Sequence, residues 1–239
     1  MGVTRRTLVA IIALVLAAAC GRDAADREYF AVLEAEKTET TPIAERIPHL
    51  DRAIAIAPDR AIYWEKRGEY EAALRDLAAA EADLDHAIEL GDRPYLRFVR
   101  GMIRCRSGRC AESLADFDLA IGEQPMNAQF YRGRALARVA AGQLAAGLAD
   151  AQHLLELAPQ NAESLYVRGA ALAALGRFED ALADFDETLR RRPELVYPLF
   201  ARATAHERMG NAGQAAEDRA AARARSETGC GVCLDPLHF

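Results

Sequence analysis

The stretch 162–195 reads AESLYVRGAALAALGRFEDALADFDETLRRRPEL. Two apolar-periodic halves flank Gly176, and Pro193 closes the second half, so the segment reads as two helices joined by a tight corner. Arg168 sits in the first half and Asp184 sixteen residues on in the second. Working outward, the same pair recurs as Arg67 and Asp83, Arg100 and Asp116, Arg134 and Asp150, and Arg202 and Asp218. Successive arginines stand 33, 34, 34 and 34 residues apart. A period of that length calls for stacked helical hairpins and against one closed core with a catalytic cleft.

The units can be laid over one another, and each resembles a tetratricopeptide repeat. That family's pattern sets a bulky residue at position 4, glycine or alanine at 8, glycine near 15, alanine at 20 and 27, an aromatic at 24 and proline at 32. Leu165, Gly169, Gly176, Ala181, Phe185 and Pro193 fill those places in the quoted copy, with Thr188 departing at 27. Residues 94–127 carry Gly101, Gly108, Phe117, Ala120 and Pro125, with Ser113 departing at 20. Residues 128–161 carry Tyr131, Ala135, Gly142 and Pro159, while Gly147 and Ala151 weaken the second helix. In 61–93 Trp64, Gly68, Ala80, Leu84 and Ala87 match, and Arg75 replaces the corner glycine. The last unit, 196–226, keeps Leu199, Ala203, Gly210, Ala215 and Ala222, with Arg219 in the aromatic place. A degenerate unit runs from about Arg27 to Asp59, where Thr41-Pro42 marks a helix start and Pro48 implies a bend or a delayed start. The resemblance implies an all-α fold, a helical-hairpin solenoid of five clear repeats plus a degenerate N-terminal one, wound as a right-handed superhelix.

Composition agrees: 51% of residues are hydrophobic, much of that alanine, and only 7% are aromatic, which favours helix. The formal charge is −6. An acidic balance argues against nucleic acid, whose phosphates need a basic face. Nearly all positive charge is arginine, since Lys37 and Lys66 are the only lysines.

The first twenty residues carry a separate message. Arg5 and Arg6 precede an apolar run from Leu8 to Ala19 that ends in small residues before Cys20. The run is shorter than the roughly 20 residues a membrane span requires, and reads as an export signal. Leu16-Ala17-Ala18-Ala19-Cys20-Gly21 resembles a bacterial lipobox, with Ala17 where leucine is usual; the resemblance implies lipidation of Cys20, and Gly21 after it implies the outer membrane. An ordinary signal peptide, leaving a soluble periplasmic or secreted protein, is the alternative, and a soluble exported repeat protein that binds a small ligand is the function that would go with it. The expected organisation is a signal peptide over 1–19, a lipidated tether and frayed first helix over 20–41, the repeats over 42–226 and a C-terminal Cys-x-x-Cys tail over 227–239.

The arginine and aspartate series admits two readings. It could grip a ligand as a charged ladder, or each arginine could pair with an aspartate on the second helix of its own or the preceding unit. Equal recurrence in every unit suits a packing device, because a binding site uses different residues in different repeats. Binding in the resembled family uses the concave wall built from first-helix positions 2, 5, 9 and 12, which here carry Tyr95, Phe98, Met102, Gln129, Arg132, Tyr166, Tyr197 and Phe200. Such a wall suits another protein or an extended peptide; alternatively the rings pack between neighbouring first helices.

Cys105 and Cys110 bracket the turn of one hairpin, and Cys230 and Cys233 lie beyond the last helix. Each pair is a disulfide candidate in an exported protein. A thiol-redox or metal-handling protein built on Cys230 and Cys233 is the rival reading, although no strand–helix context surrounds them and Leu234 excludes haem attachment. The sequence has no Gly-x-Ser-x-Gly elbow, phosphate-cradling loop with lysine, or His-Glu-x-x-His motif. Its five histidines, His49, His86, His153, His206 and His238, lack ligand spacing. The expectation is a non-enzymatic scaffold with no cofactor, no metal and no nucleic-acid partner, binding a protein or peptide near the outer membrane.

Overall fold

A computed structural model describes residues 24–37 and 41–227. Among these residues there is no strand, and every element is a helix. The chain divides into two compact units, one ending at Leu96 and the other beginning at Arg97. The leader, the Cys20 anchor and the tail with Cys230 and Cys233 lie outside the described residues.

The first unit contains α1 (residues 24–37), α2 (Ile43–Ile56), α3 (Ala61–Ala73) and α4 (Leu77–Leu90). The segment expected as a tether and frayed helix holds α1, which packs: Val32 joins Leu50 and Tyr70 in one buried cluster, and Ala25 joins Ala53, Ile54 and Tyr63 in another. Tyr29 touches both clusters and tilts against Tyr63 at 5.4 Å. Arg46 donates to the carbonyls of Thr41 and Ala35, tying α2 to the end of α1. The degenerate repeat is therefore a real hairpin whose apolar stripe is covered by α3. Pro42 takes the cap position of α2, and the helix continues through Pro48. Pro48 lies in the second turn, and the ladder bond it removes would run to Ala44, where the helix has only begun.

The second unit contains most of α5 (Pro94–Arg106), then α6 (Cys110–Glu123), α7 (Ala128–Ala140), α8 (Leu144–Leu157), α9 (Ala162–Ala174), α10 (Phe178–Arg191), α11 (Tyr197–Arg208) and α12 (Ala212–Glu227). From α6 on, each helix packs on its successor, and α9 also touches α7 and α11, so the first helices of successive hairpins stand side by side. The corners share one device: Gly108, Gly142, Gly176 and Gly210 hold φ between 77° and 82°. In the first unit Arg75 holds φ 67° at the equivalent corner, a left-handed conformation that a residue with a Cβ adopts at a cost of roughly 1–2 kcal/mol. Asn127 and Asn161 cap α7 and α9 by accepting the amides of Gln129 and Glu163, and the second helices stop before Pro125, Pro159 and Pro193, which cannot continue the ladder.

Volume is traded inside each hairpin. Position 8 is glycine where position 24 is large, pairing Gly68 with Leu84, Gly101 with Phe117 and Gly169 with Phe185. Position 8 is alanine where position 24 is Ala151 or Arg219, as at Ala135 and Ala203. Phe117 and Phe185 are fully buried by this fit, each contributing roughly 1.5–3 kcal/mol of transfer free energy.

Candidate functional site: the first-helix wall

The five arginines are structural in the geometry that the fold gives them. Each sits on a first helix and reaches the aspartate sixteen residues on: Arg67 to Asp83 at 2.7 Å, Arg100 to Asp116 at 2.6 Å, Arg134 to Asp150 at 2.8 Å, Arg168 to Asp184 at 2.6 Å and Arg202 to Asp218 at 2.5 Å. Every pair is bidentate, through Nε and Nη2, the geometry in which guanidinium and carboxylate bind most firmly. All five aspartates are buried. Three arginines also reach back to the preceding hairpin through Nη1: Arg67 to Asp51, Arg134 to Asp118 and Arg202 to Asp186, at 2.8, 2.7 and 2.6 Å. One guanidinium thus ties one hairpin to the next.

Position 11 of the first helix modulates this ladder. Arg104 and Arg138 stand there and add a second cation to Asp116 and Asp150, each at 2.9 or 2.8 Å. Glu71 holds the same place in the first unit, where burial and then the neighbouring Asp83 push its carboxyl up to about 7. Its Oε2 is buried and has no hydrogen-bond partner, which a proton shared with Asp83 would relieve.

The eight wall residues are distributed unevenly. Phe98 and Met102 are buried, Phe98 lying between Phe117 and Phe130 at 6.1 and 5.4 Å. Tyr166 and Tyr197 are also buried and meet edge to face at 4.5 Å, joining α9 to α11. Burial raises the Tyr197 hydroxyl pKa, and the charge of Glu163 adds to the effect. Arg132 is half-buried, while Gln129 and Phe200 are exposed. Tyr95, which belongs to the first unit, is exposed and donates to Glu69 at 3.1 Å. Around it Glu65 pairs with Arg93, and Lys66 joins Glu69 and Glu36 at 2.9 and 3.3 Å, so the acids there are neutralised within the fold.

A hollow of about 420 Å³ opens between α9 and α11, lined by Ala173, Ala174, Gly176, Phe178, Ala201, Thr204, Ala205 and Arg208. Ala173 and Thr204 occupy wall positions 12 and 9. Small side chains on two adjacent first helices leave the space, Phe178 walls one side, and Arg208 supplies an exposed cation. The sequence signal for it was the run of alanines on consecutive first helices, which alone does not separate a hollow from close packing.

The histidines find other work. His86 and His153 stand edge-on to the position-4 rings of Trp64 and Tyr131, at 4.2 and 4.5 Å, and Arg67 and Arg134 lie over the same rings. Among the described residues no three histidines, cysteines or acids gather as a metal site would require. The sulfurs of Cys105 and Cys110 are at bonding distance, 1.91 Å, across the corner of α5 and α6.

The family model for the tetratricopeptide repeat matches residues 162–195. Residues 162–195 are a tetratricopeptide repeat, and the chain has the fold of proteins built from such repeats. Solved structures agree in fold. The chain is similar to PilW, described as a widely conserved type IV pilus biogenesis factor, with 20% identity over 86% of this chain and 95% of PilW and a TM-score of 0.72. It is also similar to a tetratricopeptide repeat protein from Parabacteroides merdae, at 13% identity over 85% of this chain and 80% of that one, TM-score 0.71. YrrB, described as having an unusual peptide-binding site, aligns at 19% identity over 75% of this chain and 93% of its own, TM-score 0.52. No curated protein matches the sequence. Among the described residues of this repeat protein, no helix is long and apolar enough to cross a membrane.

Proposed function

We infer that this repeat protein is a non-enzymatic adaptor that holds an extended segment of another protein against the first-helix wall of its second unit. The hollow between α9 and α11 carries the reading. Its alanine floor and Phe178 offer an apolar side chain dry surface, and Arg208 stands where an acidic neighbour of that side chain would find a counter-charge. Phe200 and Thr204, exposed on α11, extend the surface. The lipobox-like segment ending at Cys20 supports an export route and a lipid anchor at the periplasmic face of the outer membrane. A role in envelope assembly is in keeping with the description of PilW, and peptide capture with that of YrrB.

Site-specific photo-crosslinking in cells tests it. A crosslinker at Phe200 or Thr204 should capture one discrete protein that a crosslinker at Asp186, on the second helix α10, does not; equal capture from both positions would sink the reading. Fractionation of Cys20→Ala against the parent tests the anchor separately, with release from the membrane fraction expected.

A further inference from the structure

The charged ladder has a vacancy at Arg168. Arg67, Arg134 and Arg202 each hold a second aspartate through Nη1, always the residue sixteen places before the arginine. At Arg168 that place is Gln152. Among the described residues Arg168 is bound through Nε and Nη2 to Asp184 and to no second carboxylate. Its side chain is 33% exposed, against 20%, 14% and 24% for the three arginines held from both sides.

A cleft of about 300 Å³ opens at this point between α8, α9 and α10, lined by Gln152, Arg168, Leu148, Leu172, Arg177 and Asp180, with Ala183 and Asp184 completing it. Leu172 stands at position 11, where Arg104 and Arg138 occupy the corresponding space in other hairpins. Asp180 lies near enough to act on Arg168, but both Nε and Nη2 of Arg177 are directed to it, at 2.8 and 2.5 Å. The cleft therefore combines an open guanidinium edge, a side-chain amide that can donate, and two leucines.

We propose that this cleft is a binding subsite for a carboxylate on a partner peptide: an aspartate or glutamate side chain entering from outside takes the Nη1 edge of Arg168 that the chain's own aspartate takes in the other three hairpins. The Gln152 amide donates a second hydrogen bond, and Leu148 and Leu172 receive the methylenes of the acid or an apolar neighbour. The subsite lies between α8, α9 and α10, shares no lining residue with the hollow of α9 and α11, and does not depend on the function proposed for that hollow.

The test adds the capped peptide acetyl-Leu-Glu-Leu-amide to the isotope-labelled full chain and follows the Arg168 Nε–H signal by NMR. A saturable shift is expected. The glutamine peptide acetyl-Leu-Gln-Leu-amide should bind at least fivefold more weakly, and sodium acetate at the same concentration should shift the signal less than the glutamate peptide. Gln152→Asp supplies the missing internal carboxylate, so it should weaken the glutamate peptide at least fivefold while its melting temperature equals or exceeds the parent's. Equal binding of the glutamate and glutamine peptides, undiminished binding to Gln152→Asp, or an acetate shift as large as the peptide's would each overturn the assignment. Should Gln152→Asp melt lower, Gln152→Leu replaces it, with weaker peptide binding again expected and unchanged binding again decisive against.

Discussion

A Cβ placed on Gly169 would stand 2.7 Å from Cε1 of Phe185 and 3.0 Å from its Cδ1. The two residues share one volume across their hairpin, and the backbone of α9 approaches α10 because position 8 has no side chain. Phe185 is fully buried, so its ring has no free space into which to retreat.

Gly169→Ala should destabilise the second unit by about 1–2 kcal/mol, the clash with Phe185 outweighing the gain in helix propensity. In a Phe185→Ala background the same change should cost at least about 1 kcal/mol less, because the clash with the ring has gone, the propensity gain remains, and only the 3.1 Å approach to the Asp184 Cβ is left. The pair Ala135 and Ala151 is the natural form of that double variant. Urea titrations around the cycle give the answer; an equal loss of stability in both backgrounds would mean that the volume shared with Phe185 is not what selects glycine.

Removing a ladder arginine should cost stability in proportion to what its aspartate keeps. Asp150 retains Arg138 at 2.8 Å when Arg134 is lost, whereas Asp184 is held by Arg168 alone among the described residues. Arg134→Ala should therefore lower stability by about 1–3 kcal/mol and Arg168→Ala by about 3–5 kcal/mol, the latter leaving a buried carboxylate uncompensated. Calorimetric melting of the two variants orders them, and an unchanged curve for Arg134→Ala would count against a packing role for the ladder.

Arg75 turns the corner between α3 and α4 with φ 67°. Arg75→Gly should stabilise the first unit by about 1 kcal/mol, since glycine occupies that conformation without a Cβ penalty. Trp64 is the only tryptophan and lies in this unit, so its fluorescence reports the transition directly.

Glu71 gives the first unit a pH dependence. Its carboxyl is raised from an ordinary 4.5 to about 7, so the folded state holds the proton more tightly than the unfolded state does. Stability is then greatest at low pH and falls as pH rises from about 4.5 through about 7. Glu71→Gln should remove that fall, gaining on the order of 1–2 kcal/mol relative to the parent at pH 8 and little at pH 5. Urea midpoints read from Trp64 fluorescence at both pH values check it; a parent with the same midpoint at pH 5 and 8 would exclude the shared proton.

The repeat length, the helix boundaries and the corners were legible in the sequence because each rests on local chemistry: a left-handed glycine ends a first helix, a proline stops a second, and a 34-residue spacing returns Arg168 to the place of Arg134. Arg75 could be located as the odd corner for the same reason. The exchange between positions 8 and 24 was also written there, since a glycine opposite a phenylalanine recurs with an alanine opposite an alanine.

Only the tertiary structure decided which wall residues face outward. Phe98, Met102, Tyr166 and Tyr197 share heptad-like places with Gln129 and Phe200, yet the first four are buried and the last two exposed. A side chain's reach across to the next first helix depends on what the neighbour offers: Tyr197 meets Tyr166 and is buried, whereas Phe200, three residues on along α11, stays in solvent. The hollow beside Arg208 and the open edge of Arg168 arise in the same way, from space left where two hairpins meet, and space between elements distant in sequence has no local code.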